Sequence, residues 1–271
     1  MIASVLMGSP DLLNGLRQAL HLIEIGDPAV VYTTKRTLLT AVEATGIATV
    51  IGPPVGCALG VGRFPGRGAL LAIGNSLTRV PPVVIGVLVL LLVTPVSPFG
   101  GGPLAAFNWY QTPDSIVFAQ TLLAIPVLIA LTASAVQRVP VDLLDQARAF
   151  GAPGWKLGLL AVREARTAVI AAIIVALGLT IATVGAIIAS GAQQFVNVPP
   201  PACHRYCEAA VTLAVGTLFN FRTSSGGVNG QDTEPIAIAY AVILIGMFLV
   251  LAAALTFLQQ RRASWIAGGE S

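Results

Sequence analysis

The chain has 271 residues, of which 55% are hydrophobic and 10% charged, against about 25% charged in soluble domains. A soluble fold of this length cannot hide that much apolar surface, and with a mean hydropathy of +0.84 the solvent must be lipid. The net charge of +3 is small and scattered along the chain, which argues against a nucleic-acid binder, and Met1 to Asp11 lacks the basic start and cleavage site of a secretory signal.

In chain order, residues 1–34 read as an N-terminal interfacial segment. Leu12, Leu13, Leu16, Leu20 and Ile23 recur at helical spacing between polar residues, so Asp11–Glu24 predicts an amphipathic helix lying at the membrane surface. Residues 35–262 read as the transmembrane domain and 263–271 as a cytoplasmic tail. A crossing helix needs roughly 20 mainly apolar residues, and about five stretches reach that length, giving an all-α polytopic fold.

The first span runs from about Thr37 to Val61. It carries a small residue at every fourth position: Thr40, Ala44, Ala48, Gly52, Gly56 and Gly60. That spacing lets another helix approach closely in lipid, either within the subunit or between subunits. Pro53-Pro54 predicts a kink. The second span covers about Leu70 to Val96 and holds Arg79 just before Pro81-Pro82. The third covers about Ser115 to Val136 with Pro126 inside it, the fourth about Thr167 to Ser190, and the fifth about Pro235 to Leu258.

Helices broken near the midplane commonly border a substrate path. Glu43, Arg79, Pro81 and Pro82 are therefore candidate pathway residues. Glu43 and Arg79 reach similar depths and are expected to approach and pair; the alternative is a purely structural or snorkelling role.

The loop at about 191–234 is rich in Pro, Gly, Asn and Ser. Its Cys203 and Cys207 are candidates for a disulfide on an oxidising face. His204 is the one adjacent further ligand, too few for a metal site. Cys57, within the first span, reads as a small packing residue.

Arg and Lys counts set the orientation. Arg63, Arg67, Arg138, Arg148, Lys156, Arg163, Arg166, Arg261 and Arg262 fall on one side. Arg17, Lys35, Arg36, Arg205 and Arg222 fall on the other. The excess puts the N-terminus outside and the C-terminus in the cytoplasm of a multi-pass protein in the cytoplasmic membrane. Lys35-Arg36 runs against this rule.

No G-x-x-x-x-G-K-[ST] loop is present, so the chain is not expected to bind ATP itself. With two His and no carboxylate cluster in the spans, no catalytic role and no cofactor of its own are expected.

Between the third and fourth spans, about 140–166, two short helices are predicted, Val141–Phe150 and Trp155–Arg166. Asp142 suits the positive end of the first; Gly151 stops it. This elbow resembles the EAA loop of ABC importer permeases. Asp145-Gln146-Ala147 stands at E-A-A and Gly151 at the glycine; Ala152–Leu160 fills the spacing, and Arg163-Glu164 replaces the usual Leu-Pro ending.

Arg163-Glu164-Ala165-Arg166 with Ile170-Ala171-Ala172 is similar to tungstate-type ABC permeases. So are Arg63-Phe64-Pro65-Gly66-Arg67, Pro81-Pro82-Val83-Val84-Ile85-Gly86, Ala124-Ile125-Pro126 and Val184-Gly185-Ala186, over about residues 35–192. The resemblance implies that Asp145, Gln146, Ala147, Phe150, Gly151 and Ala152 couple to a cytoplasmic ABC ATPase, which holds ATP and Mg. It also implies a homodimer, an extracytoplasmic oxyanion-binding protein and alternating access.

Thr180-Ile181-Ala182-Thr183 replaces a run that is charged in the family, which adds Thr183 to the pathway residues and leaves the cargo open. Tungstate leads, with molybdate or sulfate as alternatives. A secondary transporter or channel independent of ATP is the other class, and no internal repeat supports it.

Overall fold

The computed structural model describes residues 10–95, 101–110, 112–190, 195–198, 207–210, 212–217 and 234–267. The chain is built of helices around a three-helix centre. Three helices are long and apolar enough to cross a membrane, or up to five spans if each of two bent helix pairs counts as one.

Helix α1 is Pro10–Glu24. Its Ala19 is buried with Val30, Leu213, Ala239 and Tyr240, while Leu16 and Leu20 remain exposed. The helix therefore docks on its neighbours by one edge and leaves part of its apolar stripe free for lipid.

Helix α2, Pro28–Val61, has 34 residues and starts well before the expected Thr37. The reason is local. Asp27 accepts hydrogen bonds from the Ala29 and Val30 amides at 2.9 and 3.2 Å, and Pro28 fits the first helical position. Lys35-Arg36 lowers hydropathy without interrupting the helix, so the boundary expected at residue 34 falls inside it.

The small-residue stripe of α2 is used within the subunit. It packs on α5, Pro113–Gln137. A Cβ on Gly52 would lie 2.6 Å from Leu128 Cβ, and one on Gly56 would lie 2.6 Å from the Ile129 carbonyl oxygen. Ala48, Ala124 and Leu128 join Ala172 and Ala176 of α8, Arg166–Ala182, in one core.

The second expected span is not one helix. It is α3, Arg67–Leu77, and α4, Pro82–Val93, bent by 96°. Pro81 and Pro82 lack the N–H donors that would continue α3, and the turn falls at Thr78–Pro81. The fourth is interrupted too: α8 ends at Ala182, and a short α9, Gly185–Ala189, follows. The elbow consists of α6, Val141–Ala149, and α7, Gly154–Glu164, with α7 bent by 76° from α8.

Helix α10, Glu234–Ala267, closes the chain. Tyr240 near its start is buried and shares a 3.2 Å hydrogen bond with Thr33. Its Ile245, Leu249 and Val250 face outward, as a lipid-facing helix requires.

A two-stranded antiparallel ribbon pairs β1, Phe195–Val198, with β2, Cys207–Ala210, Phe195 opposite Ala210. It packs against α2. Cys203 lies outside the described residues, and with it the Cys203–Cys207 disulfide.

Candidate functional site

The elbow is held from below and open above. Leu144 of α6 and Ala161 of α7 are buried with Cys57, Val136 and Val169. At the tip, Gly151 takes φ +75°. Its amide donates to the Arg148 carbonyl at 2.8 Å, and the Ala152 amide donates to the Ala147 carbonyl at 3.1 Å. This is a Schellman ending, and it needs a residue free of the Cβ penalty in the left-handed region.

Phe150 then projects into solvent, 90% exposed, and Trp155 is 69% exposed. Isolated exposed apolar residues are ordinary. Here two large aromatics stand uncovered on one anchored elbow.

Asp145 is the charge centre of the elbow. It accepts from Arg148, one turn along α6, and from Arg63 at 3.3 Å. Arg63 belongs to the turn between α2 and α3, so the elbow is tied to the end of α2. Arg67 fixes the same turn by donating to the carbonyls of Leu59 and Gly60 at 2.7 and 2.8 Å. Between the end of α2 and α7 lies a mainly apolar groove of about 1020 Å³, bordered by Pro53, Pro54, Trp155 and Leu159.

At the opposite side of the core the two helix breaks meet. Pro82 and Val83 of α4 face Ala182, Thr183, Val184 and Gly185 across a cavity of about 310 Å³. Close approach is possible because Gly86 and Gly185 lack side chains. A Cβ on Gly86 would sit 2.4 Å from the Ala186 carbonyl oxygen, and one on Gly185 would sit 2.7 Å from Val83 Cγ2. Two of the expected pathway residues, Pro82 and Thr183, are thus brought together, and Pro81 is the residue preceding α4.

Glu43 and Arg79 do not pair. The ion pairs among the described residues are Arg63–Asp145 and Arg148–Asp145. The 96° bend carries Arg79 onto an exposed corner. Glu43 sits on the face of α2 turned away from α5.

Sequence reasoning missed Arg63, whose partner is 82 residues away. It also missed Gln120, which is buried in α5 and donates to the Thr180 carbonyl at 2.9 Å near the end of α8. A lone Gln in an apolar span is a signal that was present, because such a residue in lipid needs a partner.

No protein-family model matches the chain. A relative from Haloferax volcanii described as a "probable anion ABC transporter permease protein" is 34% identical over 170 residues, covering 62% of this chain and 71% of that protein. The tungstate uptake system permease protein TupB of Peptoclostridium acidaminophilum is 23% identical over 91% of this chain and 97% of its own length. TupB of Campylobacter jejuni is 26% identical over 88% of this chain and 90% of its own length.

Among solved structures, a chain from inward-facing crystals of the MetNI methionine ABC transporter superposes with a TM-score of 0.58 at 18% identity. It covers 85% of this chain and 96% of that one, and supports the fold alone. With the elbow, the paired helix breaks and a one-third-identical relative in agreement, the chain belongs to the permease family of ABC anion transporters.

Proposed function

We propose that this chain is the membrane subunit of an ABC importer that passes an oxyanion, tungstate first, through a dimer of two copies by alternating access. The observation that carries the reading is the elbow: an anchored turn, locked by Gly151 at φ +75°, that presents Phe150 and Trp155 outward. A separate cytoplasmic ATPase, holding ATP and Mg, docks there through Asp145, Gln146, Ala147, Phe150, Gly151 and Ala152. The anchoring of the elbow to α2, α5 and α8 through its buried core makes ATPase motion a rigid-body input to the spans. Such coupling works only if the ATPase binds the inward- and outward-open states with different affinity.

The anion path follows the helix breaks. The positive end of the α4 dipole, with the Val83 amide in its first turn, offers partial positive charge without a buried ion, beside Arg79, Pro81, Pro82 and Thr183. Glu43 belongs to the same outward-turned face of α2 and awaits the second copy. An extracytoplasmic binding protein delivers the cargo to the N-terminal, outer side, and the elbow lies in the cytoplasm. The domain limits follow: a peripheral helix α1, the transmembrane body, and a cytoplasmic end of α10.

Tungstate is favoured over molybdate or sulfate because the two TupB relatives span nearly the whole chain. A further relative, described as a "probable molybdenum ABC transporter permease protein", matches 47% of it. The test is metal-resolved uptake in cells carrying this chain with its ATPase and binding protein, offered tungstate, molybdate and sulfate together. ATP-dependent accumulation of tungsten alone is the expected result. Accumulation of molybdenum or sulfur keeps the mechanism and moves the cargo, and uptake without ATP overturns the ABC reading.

A further inference from the structure

Arg36, with Lys35, runs against the charge asymmetry, and its surroundings are as unusual as its position. Its Nε has no exposed surface and no hydrogen-bond partner among the described residues. Neither of the described ion pairs includes it. The residue as a whole is half-buried, so the guanidinium remains reachable, but a covered donor left without a partner is costly.

The described residues offer little nearby to pair with it. On the adjoining face of α2, Thr33 is engaged with Tyr240, and Thr37 donates to the Thr33 carbonyl while accepting the Leu213 amide. The Thr40 hydroxyl is turned back to the Arg36 and Thr37 carbonyls. Glu43 is on the same face but about 10 Å farther along the helix, beyond ion-pair reach. Lys35, next in sequence, is exposed and adds to the local positive potential.

We propose that Arg36 receives the transported oxyanion at the outer mouth of the pathway, its guanidinium supplying the paired donors that a tetrahedral oxyanion accepts. This rests on the oxyanion-importer reading above. Arg36 lies about 38 Å along α2 from its last residue, Val61. That exceeds the roughly 30 Å hydrocarbon core, so the residue stands at the outer rim, where cargo is handed over. A lipid phosphate presents the same chemistry from a different source.

The test uses the complete complex of permease, ATPase and binding protein in proteoliposomes, with tungstate uptake measured against concentration. Arg36→Gln is expected to lower uptake by roughly tenfold, equivalent to the loss of about 1.4 kcal/mol, at unchanged complex yield and basal ATPase rate. Arg36→Lys is expected to recover most of it. On the unmutated complex, tungstate is expected to slow modification of Arg36 by phenylglyoxal, read by mass spectrometry; this decides the matter if Arg36→Gln fails to assemble.

Wild-type uptake in Arg36→Gln overturns the inference and leaves the importer reading standing. So does a modification rate that responds to removal of anionic lipid from the vesicles and not to tungstate, which assigns Arg36 to a lipid headgroup. Wild-type complex that carries no oxyanion overturns both.

Discussion

At φ +75° a β-branched side chain is a steric outlier, so Gly151→Val is expected to cost the elbow about 1–2 kcal/mol locally. The tip opens onto empty space, with nothing within 4 Å of a Cβ at this position, so the cost is backbone strain and not collision. The chain should still insert, while ATPase recovered with it on affinity purification falls sharply. Full recovery of the ATPase would remove Gly151 from the docking surface. Phe150→Ala separates contact from shape. The ring is 90% exposed, so thermal stability should move by less than about 0.5 kcal/mol. ATPase affinity should still drop by about tenfold, an interfacial aromatic being a frequent source of binding energy. Asp145 differs from both, since it holds Arg63 and Arg148. Asp145 and Arg63 are substantially exposed and Arg148 partly so, so the bridges add little stability while they tie the elbow to the turn after α2.

Glycines on α2 divide by element packing. Gly56→Leu drives a side chain into the Ile129 carbonyl and Thr132, where a Cβ alone would already sit 2.6 and 2.9 Å from them. It should prise α2 from α5 and cost at least about 1–3 kcal/mol, visible as a lower melting temperature in detergent. Gly46→Ala meets nothing within 4 Å and should be neutral or better for the fold of the single chain, given the roughly 1 kcal/mol helix preference of Ala over Gly. If the two variants melt alike, the stripe is not the seam described.

Legibility follows the same lines. The elbow was readable almost to the residue, because Asp142, Gly151 and Pro153 are local signals that act on their own neighbours. The small stripe was readable as a contact but not as to which contact, since spacing says that something packs there and not what. Pro81-Pro82 marked a break in the second span, but not its right angle: hydropathy runs straight through the prolines, and a window average cannot distinguish a bent pair from a straight span. Arg63–Asp145 and the cavity shared by Pro82 and Thr183 depend on residues about a hundred positions apart in the chain. No local rule connects these.

For the molecule as a whole, α3 is the surface that asks for a second copy. None of its residues is buried, and Asn75, Ser76, Thr78 and Arg79 lie exposed at its end. Lipid is a poor solvent for four polar side chains within five positions. A self-complementary twofold contact covers them, or frames water between them. Asn75→Cys in a chain whose Cys57, Cys203 and Cys207 are replaced by Ala should then yield a cross-linked dimer with a short bifunctional thiol reagent in membranes. A ladder with monomer alone would place α3 away from the twofold axis.

The cavity between the helix breaks is lined by Pro82, Val83, Leu179, Ala182, Thr183, Val184 and Gly185, and none of these carries a formal charge. On the path proposed above, a divalent anion would meet backbone dipoles and the single hydroxyl of Thr183, with little to set apart anions of similar shape. Discrimination then belongs to whichever protein delivers the cargo. In evolutionary terms such a conduit is interchangeable hardware: it can be inherited by a new uptake system through a change of delivery partner, with its own spans left almost untouched.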